Sequence, residues 1–266
     1  MLEQMFSFEE INNHPSLMFV WAFILASVGI IISTQVAPTV ASIDFGFFAV
    51  LFTIIPSMYF ITTLIQREEE LEEEEIREHY GMGAFWYRHE KDIIAFLFYF
   101  GGLTLAFAIW AILIPGAFGA QVAEINEIAS VPLNTVTGQV AGQSTALWSI
   151  FSNNLQVMLV SFIFSLLFGA GMVFILVWNA SLLGVYIGRL AESFWAIPMV
   201  SLRFIPHGVP EIAAYLVAGL AGGILSAALL RKNSHHVIEV IAVDALELLV
   251  LGILLLFGAA AVEVYL

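Results

Sequence analysis

Six long apolar segments dominate the pattern of hydrophobic and polar positions along the chain. They lie at residues 17–36, 45–65, 93–114, 155–178, 209–230 and 238–262. Each can cross a hydrocarbon core about 30 Å thick, which takes about 20 apolar residues in a helix. The pattern therefore predicts an all-α fold: a polytopic transmembrane helical bundle of about six spans, forming a single domain over residues 1–266.

The polar segments between the spans differ in charge. Eight of the 22 acidic residues fall between Glu68 and Glu78, in a stretch without Gly or Pro. We expect the second span to continue there as a solvated helix, with partner docking or cation binding as alternatives. The segment 66–91 also carries Arg and Lys, which predicts that it and the N-terminus are cytoplasmic. Residues 115–152 lack Lys and Arg and are expected to form an extracytoplasmic loop.

One further apolar stretch, residues 181–204, is interrupted by Arg189, Glu192 and Pro198. Irregular backbone survives at membrane depth only where protein or a water-filled cavity shields it. We therefore expect 181–204 to be broken or re-entrant. With six spans, however, Arg231 and Lys232 would lie outside, against the charge rule. The alternative is that 181–204 crosses completely and reverses the side of every later span.

Composition agrees with a membrane protein whose main partner is the lipid bilayer. Hydrophobic residues make up 61% of the chain, charged residues 11%, and the mean hydropathy is +0.95. The net charge of -14 is concentrated in the Glu68–Glu78 run, and with eight Lys and Arg the basic surface needed for nucleic acid binding is missing. The absence of cysteine excludes disulfides, thiolate metal sites and a cysteine nucleophile.

The densest polar positions within the apolar background lie between residues 153 and 211. They are Asn153, Asn154, Asn179, Arg189, His207 and Glu211, interleaved with glycines that include Gly184 and Gly208. Glycines let helices approach closely, and buried amides form hydrogen bonds between helices. One interpretation is therefore that the asparagines only hold a compact bundle together.

The segment from Pro206 to Glu211 reads Pro-His-Gly-Val-Pro-Glu. Pro210 suits the first position of a helix, and Glu211 would then face the positive end of the helix dipole, which predicts a capped start of the fifth span. Alternatively, His207 and Glu211 form a pair that holds a divalent cation or shuttles a proton. A metal ion normally takes three or four ligands, so the pair alone does not define a metal site.

The last span contains three acidic residues, Glu239, Asp244 and Glu247. The i, i+3 spacing of Asp244 and Glu247 places both near one face of a helix. An ionisable residue within a span is a functional hypothesis by default. The alternative is a pair neutralised by protonation or by Arg231.

The depth of each residue decides which of these groups can meet. With six spans, Asp244 and Glu247 share the outer end with Asn153 and Asn154. The same count places Asn179, His207 and Glu211 at the inner end. The sequence thus predicts two small polar sites. No nucleophile with a neighbouring base, phosphate-binding loop or H-E-x-x-H helix is present, so enzyme activity is disfavoured.

The order and spacing of several motifs resemble the stage II sporulation protein M family. The motifs are Phe151-Ser152-Asn153-Asn154, the Gly-rich fourth span, Trp178 to Gly184, and Phe204 to Glu211 running into residues 218–223. The resemblance covers residues 93–230 well and the final span loosely. Seven residues match the family pattern by position: Asn153, Asn154, Asn179, Gly184, His207, Gly208 and Glu211.

The resemblance implies a membrane protein that, in sporulating bacteria, anchors partners that degrade peptidoglycan during engulfment, and it implies no catalytic role. The leading hypothesis is a non-enzymatic scaffold in the cell membrane, homo-oligomeric through small-residue helix faces, that positions envelope proteins. The second is a channel or an ion- or proton-coupled transporter with polar sites at broken helices. The third is an intramembrane metal-binding protein or metalloenzyme that uses His207 and Glu211.

Overall fold

Helices form all the regular structure of the residues described by the computed structural model. These residues are 14–40, 43–78, 85–130, 139–231 and 235–265, with side chains described except at residue 60 and in the ranges 64–92 and 128–143. The α-helices of this part of the chain are α1 (Leu17–Val36), α2 (Phe45–Glu78), α3 (Phe85–Leu113), α4 (Gly119–Ser130), α5 (Gln139–Phe168), α6 (Met172–Ala191), α7 (Ile197–Ser201), α8 (Ile205–Leu230) and α9 (His235–Tyr265). Without a strand in the described ranges, the predicted all-α class is confirmed.

Seven of the described helices are long and apolar enough to cross a membrane. They are α1, α2 up to Thr63, α3 from Ile93, α5 from Ser144, α6, α8 and α9. The predicted polytopic helical bundle is confirmed, and the number of candidate spans is seven where the apolar pattern predicts about six. The additional candidate span is α6. One more crossing reverses the side of the membrane on which all later residues lie.

The apolar segment predicted as one span over 155–178 is divided between two helices. Helix α5 ends at Phe168 and α6 begins at Met172. Gly169 has a φ of 73°, a left-handed conformation that favours glycine, and a Cβ on Gly171 would overlap the carbonyl oxygen of Phe164. Ser165 completes the turn, because its Oγ accepts a hydrogen bond of 2.8 Å from the backbone N–H of Met172.

The predicted irregular segment 181–204 is broken, but its first half belongs to α6. That helix ends at Ala191, and the next residue, Glu192, has a φ of 54° and a backbone N–H that donates to the carbonyl of Gly188. A 3₁₀ turn (Phe194–Ala196), the short α7 and a turn at 202–204 then lead into α8. The irregular part therefore joins two candidate spans.

Helix α8 is the central helix of the bundle. Of its apolar window 83% is buried, against 22% for α5. Helices α5 and α8 run in the same direction: Ser161 contacts the carbonyl of Tyr215, and Phe162 and Leu166 face Gly222 further along both helices. Helix α9 runs the opposite way, because Ala245 and Leu248 pack with Val217 and Ala221, whereas Gly252 approaches Ala214.

Glycines also bring α3 and α6 into close contact. An added Cβ on Gly184 would lie 2.6 Å from the Cβ of Phe107, and one on Gly188 would overlap the carbonyl oxygen of Ala108. Along this contact, higher residue numbers on α6 face higher residue numbers on α3, so the two helices are parallel. Helix direction thus alternates from α3 through α5, α6 and α8 to α9, as expected if each of them crosses the membrane.

Two predicted polar segments are partly described. The acidic run lies in α2, whose helical backbone continues to Glu78, while residues 79–84 and the side chains of the run lie outside the described part. Within 115–152, the structure has α4 and the beginning of α5. Helix α5 therefore starts well before the predicted end of that loop.

Candidate functional site

The structure brings four polar residues of the 153–211 region to one end of the bundle: Asn153, Asn154, His207 and Glu211. Ser161 on α5 donates a buried hydrogen bond of 3.0 Å to the carbonyl of Tyr215 on α8. Asn153 and Asn154 precede Ser161 by about two helical turns, and His207 precedes Tyr215 by about two turns. We call this the Glu211 end of the bundle. The shared location corrects the prediction that the asparagines lie at the opposite end from His207 and Glu211.

Glu211 and Tyr215 form a short side-chain contact at this end. The Tyr215 hydroxyl donates to Oε1 of Glu211 over 2.7 Å. Tyr215 is fully buried, whereas Glu211 is half-buried. Residues four apart lie on one helix face, so Tyr215 fixes the direction in which the carboxyl group points.

The predicted helix start at Pro210 is wrong. Helix α8 begins at Ile205, and Pro206 occupies the first turn, while Pro210 lies inside the helix. A first-turn proline loses no intrahelical hydrogen bond, so Pro206 is the one that suits the start. Glu211 consequently lies in the second turn, beyond the range in which the helix dipole acts most strongly.

The two adjacent asparagines differ in their surroundings. Asn154 is buried and Asn153 is exposed, and the Asn153 Nδ2 group donates to Oδ1 of Asn154 over 3.4 Å. Asn179 donates through Nδ2 to the carbonyl of Ile175 in its own helix over 2.8 Å. Asn179 therefore serves the backbone of α6, and Asn154 is the asparagine that the bundle encloses.

His207 and Glu211 lie one turn apart on α8. The His207 ring packs edge-on against Phe204, with centroids 6.1 Å apart. In the part of the chain that the structure describes, no three His, Asp or Glu side chains converge in a way that could hold a metal ion. The described residues therefore do not fit a metal centre with protein ligands.

Asp244 lies towards the opposite end of the bundle, which corrects its predicted pairing with Asn153 and Asn154. Its neighbour Ala245 packs with Ala221 on α8. Glu211 is ten residues before Ala221, so about 15 Å of helix separates the depths of the two acids. The reason is the division of the fourth apolar segment, which exchanges the ends at which α8 and α9 begin.

Asp244 and Glu247 differ in burial, although their i, i+3 spacing places them near one face of α9. Asp244 is buried at 3% exposure, whereas Glu247 and Glu239 are exposed. Their side chains are offset by about 60° around α9, and the α8 contact covers only the side that carries Asp244. Asp244 is therefore the one acid of the three that the bundle encloses.

A buried amide that the sequence analysis did not single out joins α2, α4 and α6. The Gln121 Nε2 group donates to the carbonyl of Gly46 over 3.1 Å and to Oγ of Ser181 over 3.2 Å. Oε1 of Gln121 has no hydrogen-bond partner among the described residues, although the side chain is fully buried. Asp44 accepts from the backbone N–H of Gly46 over 2.7 Å beside it.

Comparison with known proteins decides the family. The family model for stage II sporulation protein M matches residues 94–266, which is well over half of the chain. The chain belongs to the stage II sporulation protein M family. The family match runs from α3 to the end of α9 and thus contains the whole Glu211 end, while α1 and α2 precede it.

A relative of this family member occurs in an archaeon. The uncharacterized protein MJ0793 of Methanocaldococcus jannaschii is 31% identical over 121 residues, which are 44% of this chain and 68% of the relative. No solved structure matches the chain.

Proposed function

We propose that the protein is a non-enzymatic membrane scaffold that associates with further copies of itself through α5 and positions other envelope proteins. The observation that carries the proposal is a polar stripe on the outside of the bundle. Ser149, Ser152, Asn153 and Gln156 are all exposed, although they belong to a helix that is long and apolar enough to cross the membrane.

The stripe forms one continuous face. At about 100° per residue, its four side chains fall within an arc of about 100° around α5. The Gln156 amide forms no hydrogen bond with any described residue, and Ser152 donates only to the carbonyl of Ser149 over 3.3 Å. Polar side chains exposed to lipid are unfavourable, so this face is suited to a protein neighbour.

A second copy of the chain is the neighbour that the chemistry of the stripe favours. Hydroxyl and carboxamide groups both donate and accept hydrogen bonds. A two-fold interface places the same surface on both partners, so such groups can pair with themselves. Hydrogen bonds of this kind join helices within membranes.

The positions of the basic residues support an orientation for the scaffold. If all seven candidate spans cross, six of the eight Lys and Arg residues lie on one side of the membrane: Arg67, Arg77, Arg88, Lys91, Arg231 and Lys232. Arg189 and Arg203 lie on the other. The charge rule then places the N-terminus and 66–91 in the cytoplasm, and the Glu211 end faces the envelope partners outside.

Ion or proton transport is a second candidate because Glu211 and Asp244 lie within candidate spans. The described geometry supports it less well. About 15 Å of α8 separates the depths of the two acids, and the stretch between them contains Gly219 and Gly222, which pack directly against α5 and α6.

The scaffold proposal is tested by the double substitution Ser152→Leu with Gln156→Leu. Each residue acts twice in a two-fold dimer, and an interhelical hydrogen bond contributes about 0.6 kcal/mol on average. We therefore expect the dissociation constant of the dimer in lipid vesicles to rise about 50-fold. Energy transfer between copies with fluorescent labels, measured over a range of protein-to-lipid ratios, gives this constant.

The matched control carries Leu159→Ala and Ile163→Ala, two exposed apolar positions further along the same face of α5. It should change the dissociation constant much less than the polar pair does. A wild-type chain that stays monomeric, or a double leucine variant that associates equally well, would contradict the proposal.

The same vesicles test transport: ion or proton flux that disappears with Glu211→Gln would favour the second candidate.

A further inference from the structure

An apolar slot runs along the side of the bundle near the Glu211 end, next to α7. It has a volume of about 410 Å³ and lies between α1, α3, α6, α7 and the first turns of α8. Its walls include Leu97, Phe100, Thr104, Ala108, Leu183 and Gly208. The Thr104 hydroxyl donates to the carbonyl of Phe100 over 2.9 Å, so it offers no free donor to the slot.

The slot is long and narrow. Its wall on α3 extends from Leu97 to Ala108, which corresponds to about 16 Å of helix, so its volume implies a mean width of about 5 Å. A helix with side chains is about 10–12 Å across and does not fit. One extended hydrocarbon chain does.

The slot opens to the surface of the bundle. Ile205 and Val209, which line it, are 50% and 45% exposed, and Pro198 is exposed as well. In a membrane-spanning bundle, the medium at such an opening is the acyl-chain region of the bilayer. Lipid acyl chains are therefore available to the slot wherever the protein is inserted in a bilayer.

The turns before and after α7, which borders the slot, have the character of the membrane–water boundary. Trp195, just before α7, is 94% exposed, and tryptophan is enriched at the level of lipid headgroups. Arg203, in the turn between α7 and α8, is exposed and pairs with no carboxylate of the described residues. Its guanidinium group suits the phosphate of a lipid headgroup.

Gly208 gives the slot its width without being required by packing. A Cβ added there would meet no atom within 4 Å, and its backbone does not adopt the left-handed conformation that favours glycine. Glycine in a helix is less favourable than alanine. The protein's own contacts therefore do not require glycine at this position. A molecule bound in the slot would require it.

We propose that this slot binds one chain of an anionic phospholipid, with the headgroup at Arg203. The site is separate from the polar stripe on α5, so the inference stands independently of the scaffold proposal. Because the site lies beside α7, bound lipid would hold the irregular connection between α6 and α8 against the bundle.

The test uses the purified full-length chain in vesicles of phosphatidylcholine that contain a small fraction of phosphatidylglycerol with a photoreactive group on one acyl chain. We expect crosslinks concentrated on slot residues between 97 and 108 and between 205 and 212. Gly208→Leu fills the slot and should lower this crosslinking at least fivefold. Leu105→Phe, a second substitution at a lining residue, should act in the same direction.

Gly258→Leu is the matched control, because Gly258 also has open space around its Cβ but does not line the slot. It should leave crosslinking unchanged. Arg203→Gln should remove the preference for phosphatidylglycerol over a photoreactive phosphatidylcholine while the slot still crosslinks. Crosslinks spread evenly over the exposed faces of α5 and α9, or equal labelling of folded wild-type, Gly208→Leu and Leu105→Phe proteins, would overturn the proposal.

Discussion

Replacing Gly184 with leucine is expected to prevent the bundle from forming its native packing. An added Cβ would lie 2.5 Å from the carbonyl oxygen of Thr104 and 2.6 Å from the Cβ of Phe107. Both neighbours are fixed parts of α3, so the two helices must move apart along their whole contact. Overpacking of this kind costs about 3 kcal/mol or more. The measurement is the fraction of protein that remains monodisperse in detergent after heating.

The control for this prediction is Gly258→Leu, which adds the same side chain to a glycine surrounded by open space. It should leave the thermal midpoint close to that of the wild type. Gly184→Ala should give an intermediate loss, because it adds only the Cβ. If Gly184→Leu remains as stable as Gly258→Leu, the contact between α3 and α6 described above is wrong.

Gln121→Glu is expected to destabilise the protein by several kcal/mol. The Gln121 side chain is fully buried, its Oε1 atom has no donor among the described residues, and the Asp44 carboxylate lies close by, since it approaches Gly119. A buried charge without a partner costs several kcal/mol. The free energy of unfolding in mixed detergent and denaturant measures the effect.

Gln121→Met is the matched control, since methionine has a similar shape and no charge. It loses the hydrogen bonds to Gly46 and Ser181, at about 1 kcal/mol each, but removes the orphaned Oε1 atom as well. We therefore expect it to be clearly more stable than Gln121→Glu. Equal stability of the two variants would mean that the amide is not enclosed as described.

The apolar pattern predicts the class of fold because the lipid bilayer, the solvent of this protein, determines that class. A helix that crosses lipid needs a long run of apolar residues, whichever neighbours it later contacts. For this reason the first three predicted spans agree within a few residues with α1, with α2 up to Thr63 and with α3 from Ile93. Hydropathy does not record where an apolar run turns back on itself, and the turn at Gly169 lies inside such a run.

That single turn explains most of the errors at the candidate site. Polarity identifies the residues themselves, but their partners depend on how many times the chain has crossed the membrane. One additional crossing moves His207 and Glu211 to the end that holds Asn154 and moves Asp244 away from it. Tyr215 has no such signal in the sequence. Only its position four residues after Glu211 relates it to the site.

Gln121 shows a further limit of sequence reasoning. It lies in a stretch rich in small and polar residues that resembles a surface connection, and nothing in its neighbours predicts burial. Its partners Gly46 and Ser181 are 75 and 60 residues away in the sequence. Only the folded arrangement of α2, α4 and α6 brings these groups together.

The side of the membrane on which the two ends of α8 lie tests the central claim most directly. The chain contains no cysteine, so single cysteines at Ser193 and His235 can be labelled in intact cells with a membrane-impermeant maleimide, with Glu75→Cys as a reference. Seven crossings predict that Ser193→Cys is labelled from outside, and that His235→Cys and Glu75→Cys react only after permeabilisation. Labelling of His235→Cys but not Ser193→Cys in intact cells would contradict the account and restore the six-span arrangement.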